Sequence, residues 1–263
     1  MPLPIEDVAS KIKWANKHIN DFMAAAVEFA KTDPYGTTVK TDPQSQQRIY
    51  TITKITPIPA HLRLIAGDAI QNMRSALDYL ACGLVRVATK AEPSKYVGFP
   101  ISDSEPLTKE EKAAFARQVK GMRQGTIDAI KAIKPYQRGN DTLWRLHRLN
   151  RIDKHRLLMA AGTSVALVNP GFHRELRDYV IRGSTEGIVP EAATQLRDRF
   201  PLKAGDTFSV DLTKPEMNDN PQFLLEIAFN EPGIAEGEVI LTVLKESLRC
   251  VQDVVGNLSR FLY

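Results

Sequence analysis

Cysteine is almost missing from this chain of 263 residues, which has only Cys82 and Cys250. Both fall in segments that read as helices, so a disulfide framework and a paired-cysteine zinc site are excluded, and buried thiols in a reducing compartment are expected. Long apolar runs are missing as well. No stretch of roughly 18 apolar residues occurs, which leaves no membrane-spanning helix, and Met1-Pro2-Leu3-Pro4 lacks the basic start and apolar run of a signal peptide. A cytoplasmic protein without a membrane partner is therefore expected. Also absent are a Gly-x-x-x-x-Gly-Lys-Ser/Thr phosphate loop, a Gly-x-Ser-x-Gly elbow and a His-Glu-x-x-His metal helix. His18, His61, His147, His155 and His173 lie in different segments, and no cofactor or metal is expected. A metal shared by Asp68, Asp153 and His155 is disfavoured, because Asp153 and His155 would point about 200° apart on one helix.

Apolar residues are plentiful enough, at 43%, for one large core. Ile5, Val8, Ile12, Ala15, Ile19, Phe22, Ala26 and Phe29 recur at steps of three and four, which predicts a first helix that Asp33-Pro34-Tyr35-Gly36 stops. Asp42-Pro43 and the β-branched stretch from Arg48 to Ile55 predict a hairpin. Leu62, Ala66, Ala69, Met73, Ala76, Leu80 and Leu84 form the stripe of a second helix over about 60–87. Thr108, three residues before Glu111, is a capping-box signature, and Asn140 or Asp141 can cap a basic helix from Thr142 to Leu158. Short runs at 164–168, 207–212 and 223–229 predict a small sheet, after which Leu244, Leu248, Val251, Val255, Leu258 and Leu262 return to helical spacing. The fold class expected is α+β: a helical bundle with a β-hairpin and a small peripheral sheet inserted before the C-terminal helix. We read it as a single interwoven domain over 1–263, with a helical core of 1–33, 60–88, 108–160 and 239–263 and β segments at 37–57 and 163–230.

Charge is unevenly placed. The formal net charge is +4, yet the stretch from Lys112 to Arg156 has twelve Lys or Arg against three Asp, an excess of nine that leaves the remainder at −5. Such asymmetry attracts polyanions, although a solvated helical surface has the same composition. At 100° per residue, Leu143, Leu146, Leu149 and Leu157 share one side of the basic helix, and Asn150 and Asp153 fall among them. A buried carboxylate needs a partner. The second helix offers Asp68, Asn72, Ser75 and Tyr79 on one polar stripe and Gln71, Arg74 and Asp78 on another. A polar network of Asp68, Asn72, Arg74, Asp78, Asn150 and Asp153 is expected, with Arg74 bridging to Asp153; it would either organise the core or line a pocket. On the opposite face Trp144, Arg148, Arg151 and His155 gather, with Arg148 and His155 seven residues apart and so within about 20°. Arginine can grip phosphate with two N–H groups and histidine can move a proton, so this face suits phosphodiester chemistry as well as plain solvation.

Two resemblances follow from these residues. Asn72-Met73-Arg74-Ser75-Ala76-Leu77-Asp78, Leu143-Trp144-Arg145-Leu146 and Asp153-Lys154-His155-Arg156 resemble an uncharacterised bacterial protein family with Asn-x-Arg-Ser-Ala-Leu-Asp and Asp-Lys-His-Arg blocks, over about the central third of the chain. That resemblance implies no named activity. Arg148, six residues and His155 on a helix are similar to the motif of HEPN-type ribonucleases, helical bundles in which Arg and His from paired protomers cleave RNA without a metal. Leu149 stands where that family has Asn, Asp or His. The resemblance implies a catalytic pair of Arg148 and His155, RNA as partner and a homodimer; on that reading we expect Arg151 and Lys154 to serve as phosphate contacts. The alternative is a non-catalytic binding or assembly protein whose basic face meets an acidic protein.

Overall fold

Apolar residues at steps of three and four bury one stripe of α1 (Pro4–Ala30), through Val8, Ala15, Ile19, Phe22 and Phe29. The helix stops where Asp33 turns left-handed at φ 50° and Pro34, which has no N–H to donate, follows. The computed structural model describes residues 4–168, 200–211 and 222–263, leaving the side chains of 4, 163–168, 210–211 and 222–225 undescribed. His173 and the parts of the expected β segment at 169–199 and 212–221 lie outside the described residues. The remaining elements are β1 (Tyr35–Asp42), β2 (Gln47–Ile55), α2 (Ala60–Thr89), α3 (Lys109–Gln118), α4 (Gln124–Ile133), α5 (Asp141–Asp153), β3 (Ala160–Val168), β4 (Thr207–Asp211), β5 (Gln222–Phe229) and α6 (Ile240–Ser259). The fold is α+β, with an early hairpin and strands ahead of the C-terminal helix, as the patterning predicts. Among the described residues no helix is long and apolar enough to cross a membrane.

Contacts gather into two compact units, each drawn from separated stretches of chain. The first comprises Met1–Asn20, Leu64–Leu157 and Leu244–Tyr263; the second comprises Asp21–Arg63 and Leu158–Val243. In the first unit α2 contributes Ala66, Ala69, Met73, Leu77, Leu80 and Leu84 to the core, α5 contributes Leu143, Leu146 and Leu149, and α6 contributes Leu244, Val251 and Leu258. Each fully buried Leu stabilises the unit by roughly 1.5–3 kcal/mol over an exposed one. The capping box of α3 is formed: Thr108 accepts from the Glu111 N–H, and the Glu111 carboxylate accepts from the N–H groups of Thr108 and Leu107. Those donors, with the Ser104 hydroxyl, pull the Glu111 pKa down to about 2.

In the second unit the strands form two sheets where one was expected. β4 joins the hairpin in the order β1-β2-β4, and β3 pairs with β5, all antiparallel. Cross-strand stacking accounts for β4's choice, since Tyr50 on β2 and Phe208 on β4 are register partners with parallel rings 5.1 Å apart, both buried.

The basic helix is shorter than its composition predicts. It ends at Asp153, and Ile152 O accepts from the N–H groups of both His155 and Arg156, closing the last turn tightly. Just beyond, Asn230 and Glu231 take the backbone of Met159, whose N–H donates to the Glu231 carboxylate at 2.7 Å and whose carbonyl accepts from the Asn230 N–H at 2.8 Å. Backbone pairing thus replaces helical bonding there, and Leu157, placed by helical arithmetic on the buried face, is instead exposed.

Asn140 caps the start of α5, its side-chain oxygen accepting from the Leu143 N–H at 3.0 Å and from the Cys250 thiol on α6 at 3.6 Å. Asn140→Ala is expected to lower stability by about 1 kcal/mol in urea unfolding, whereas Asn140→Asp should retain most of it.

Candidate basic cleft and its supporting clamp

Arg74 and Asp78 stand one turn apart on α2, the spacing at which opposite charges meet. Arg74 Nη1 lies 2.8 Å from Asp78 Oδ1, Arg74 Nη2 donates to the Phe99 carbonyl at 2.9 Å, and Asp78 Oδ1 accepts from the Phe99 N–H at 3.0 Å. A charged pair therefore holds both polar groups of one residue in the loop between α2 and α3. The Phe99 ring is wholly buried, and so is most of Arg74. Burial lowers the Arg74 pKa, and Asp78 opposes that shift. Gly98 is part of the same fit, because a β-carbon there would come 2.9 Å from Asp78 Oδ1.

The expected network is thereby divided. Arg74 pairs with Asp78 instead of Asp153, since the carboxylate one turn along its own helix is already in reach. Asp153 rests on the backbone of Gly67, where any side chain would collide with its carboxylate, and burial, followed by the charge of Asp68, raises its pKa. Asp68 is exposed. Asn72 is only partly buried, donates to the Asp68 carbonyl and accepts from Lys11 Nζ at 3.2 Å. Asn150 is 2% exposed, and its Oδ1 has no partner among the described residues.

The loop that Phe99 anchors continues to Asp103, a residue that sequence reading passes over because nothing periodic marks it. Its carboxylate accepts from Trp144 Nε1 at 3.1 Å and meets Arg148 Nη1 at 3.4 and 3.5 Å. Trp144 is consequently buried, not displayed on the solvent face with Arg148 as helical arithmetic placed it. His147, next to Arg148, is likewise unmarked by any motif. Burial and the charges of Arg74 and Arg151 pull its pKa down to about 4, which leaves its imidazole neutral at pH 7.

Arg148, Arg151, Ile152, His155 and Arg156 line one open cleft of about 340 Å³. The C-terminal half of α5 positions the first three and the turn after it the other two, so Arg148 and His155 line the same hollow even though His155 is outside the helix. Lys154 is exposed but does not line it. Three arginines and a histidine line it with no acid among the lining residues, a set suited to an oxyanion with several acceptor oxygens. The carbonyl end of α5 favours cations on its own account, which is a structural reason for Arg151 in that turn. Among the described residues, no three His, Cys, Asp or Glu side chains are gathered as a shared metal ion would need.

No protein-family model matches the chain, and no curated protein or solved structure shows significant similarity to it.

Two outcomes are expected from the clamp and from His147. Asp78→Ala strands a buried guanidinium and should cost about 3–5 kcal/mol in urea unfolding. Arg74→Met leaves a half-exposed carboxylate that water can reach, with a smaller expected cost of about 1–3 kcal/mol. Equal costs, or the reverse order, would contradict the clamp. For His147, a folded pKa of about 4 against an ordinary 6.5 means that the unfolded chain binds more protons between those values. Stability should therefore fall as pH drops from 6.5 to 4, and His147→Gln should flatten that slope in pH-dependent denaturation.

Proposed function

We propose that this chain binds RNA through the cleft at the end of α5 and cleaves it without a metal, Arg148 and His155 acting in the manner of the HEPN-type ribonucleases that their spacing resembles. One observation carries this reading: Arg148, Arg151, Arg156 and His155 converge on a single open hollow lined by no acid. Arg151 and Arg156 would hold phosphate oxygens, and Lys154, exposed beside the cleft, would contact a neighbouring phosphate. In the reaction His155 accepts the proton of a ribose 2′-hydroxyl, the 2′-oxygen bonds to phosphorus, and the bond from phosphorus to the 5′-oxygen breaks. Water supplies the proton that the 5′-oxygen takes up. The products are a 2′,3′-cyclic phosphate and a 5′-hydroxyl, and Arg148 stabilises the charge that grows on the phosphoryl oxygens. The resemblance also implies that two copies of the chain pair.

A second reading is a non-catalytic assembly protein whose basic face meets an acidic protein. It is favoured by the way Arg74 and Asp78 pair with each other and hold Phe99, which gives the Asn-x-Arg-Ser-Ala-Leu-Asp block a sufficient role in the fold alone.

The deciding experiment incubates wild-type protein, His155→Ala and Arg151→Ala with labelled single-stranded and structured RNA in EDTA across a salt series. Cleavage by the wild type, lost in His155→Ala with binding retained, is expected. Arg151→Ala should weaken binding to all sequences alike and reduce the salt slope by about 1. Binding without cleavage would remove the catalytic roles of Arg148 and His155 and leave RNA binding alone, and no binding at low salt would remove RNA as the partner and leave the second reading.

A further inference from the structure

Arg148 serves two masters: it lines the cleft, and it faces the Asp103 carboxylate. Its contacts to Asp103, at 3.4 and 3.5 Å, lie at the long limit of hydrogen bonding, while Trp144 Nε1 holds the same carboxylate at 3.1 Å. Asp103 is thus fastened independently of Arg148. Ser102, its neighbour, donates its N–H to the Pro135 carbonyl at 3.1 Å, and four residues back the Arg74 and Asp78 pair grips Phe99. These contacts hold the Asp103 carboxylate, itself more than half exposed, beside Arg148. Arg148 meets that carboxylate only at long range, its side chain is about one-third exposed, and its buried Nε has no partner among the described residues.

We propose that Asp103 is a resident counter-anion of the cleft, competing with ligand phosphate for Arg148 and so setting how tightly the cleft holds a polyanion. This rests on the RNA-binding reading above and names the residue that tunes it. The effect is electrostatic: a fixed negative charge beside Arg148 offsets part of its attraction for phosphate and repels the incoming group. Weak affinity per phosphate follows, and a ligand that spans Arg148, Arg151 and Arg156 together is favoured over an isolated anion.

Asp103→Asn is the informative substitution, because the amide oxygen still accepts from Trp144 while the charge is gone. Binding of a fluorescein-labelled oligouridylate would be followed by anisotropy in wild type, Asp103→Asn and Glu6→Gln, the last removing the same charge from α1. Circular dichroism would confirm that each variant is folded. Asp103→Asn is expected to bind about two- to fivefold more tightly at low salt, converging with wild type as salt is raised, and Glu6→Gln to match wild type. The indole N–H resonances give a second readout, since Trp14 and Trp144 are the only tryptophans. Titration should move the Trp144 signal and leave Trp14 in place. If wild type binds and Asp103→Asn binds equally or less tightly, the counter-anion inference is overturned while RNA binding stands. If neither folded protein binds at low salt, both fall together.

Discussion

A guanidinium as deeply buried as that of Arg74 is tolerated only where an anion and hydrogen-bond acceptors surround it, because an uncompensated buried charge costs several kcal/mol. Asp78 provides the anion and Phe99 the carbonyl. Since Asp78 also accepts from the Phe99 N–H, the pair satisfies itself only when the loop lies in one place. The order of that loop is therefore a consequence of burying Arg74. Gly98 beside Asp78 shows how closely loop and helix approach.

From this clamp the constraint passes along the loop to Asp103 and then to α5. Asp103 meets Trp144 and Arg148, and Trp144 is buried because the carboxylate gives its indole N–H an acceptor. Arg148 is consequently aimed by a residue 45 positions away in the chain. His147 lies in the same field of arginines, and burial with those charges holds its pKa low, which spares the region one more positive charge. Arginines accumulate near the end of α5, and the acid that meets one of them, Asp103 against Arg148, comes from the loop that the Arg74 and Asp78 pair anchors.

Much of this fold is legible in the sequence. Steps of three and four residues mark α1, α2 and α6, and the capping box of α3 is readable from Thr108 and Glu111, because these signals depend on local geometry. The gathering of Arg148, Arg151 and His155 is also legible, as all three lie within eight residues. Less local features are not. The pairing of Met159 with Asn230 and Glu231 joins residues about 70 apart in the chain, and the place of β4 depends on Phe208 stacking with Tyr50.

By itself, then, the sequence determined the helices, the hairpin and the concentration of positive charge near residue 150, all matters of spacing over a few turns of chain. Which charge neutralises which was decided only by tertiary structure. Arg74 had candidate partners on its own helix and on α5, and the nearer one serves because i, i+4 geometry brings it into contact without any rearrangement. Asp103 acquires its place because burial of Phe99 draws an irregular loop against α5, and no periodicity in the chain records that contact.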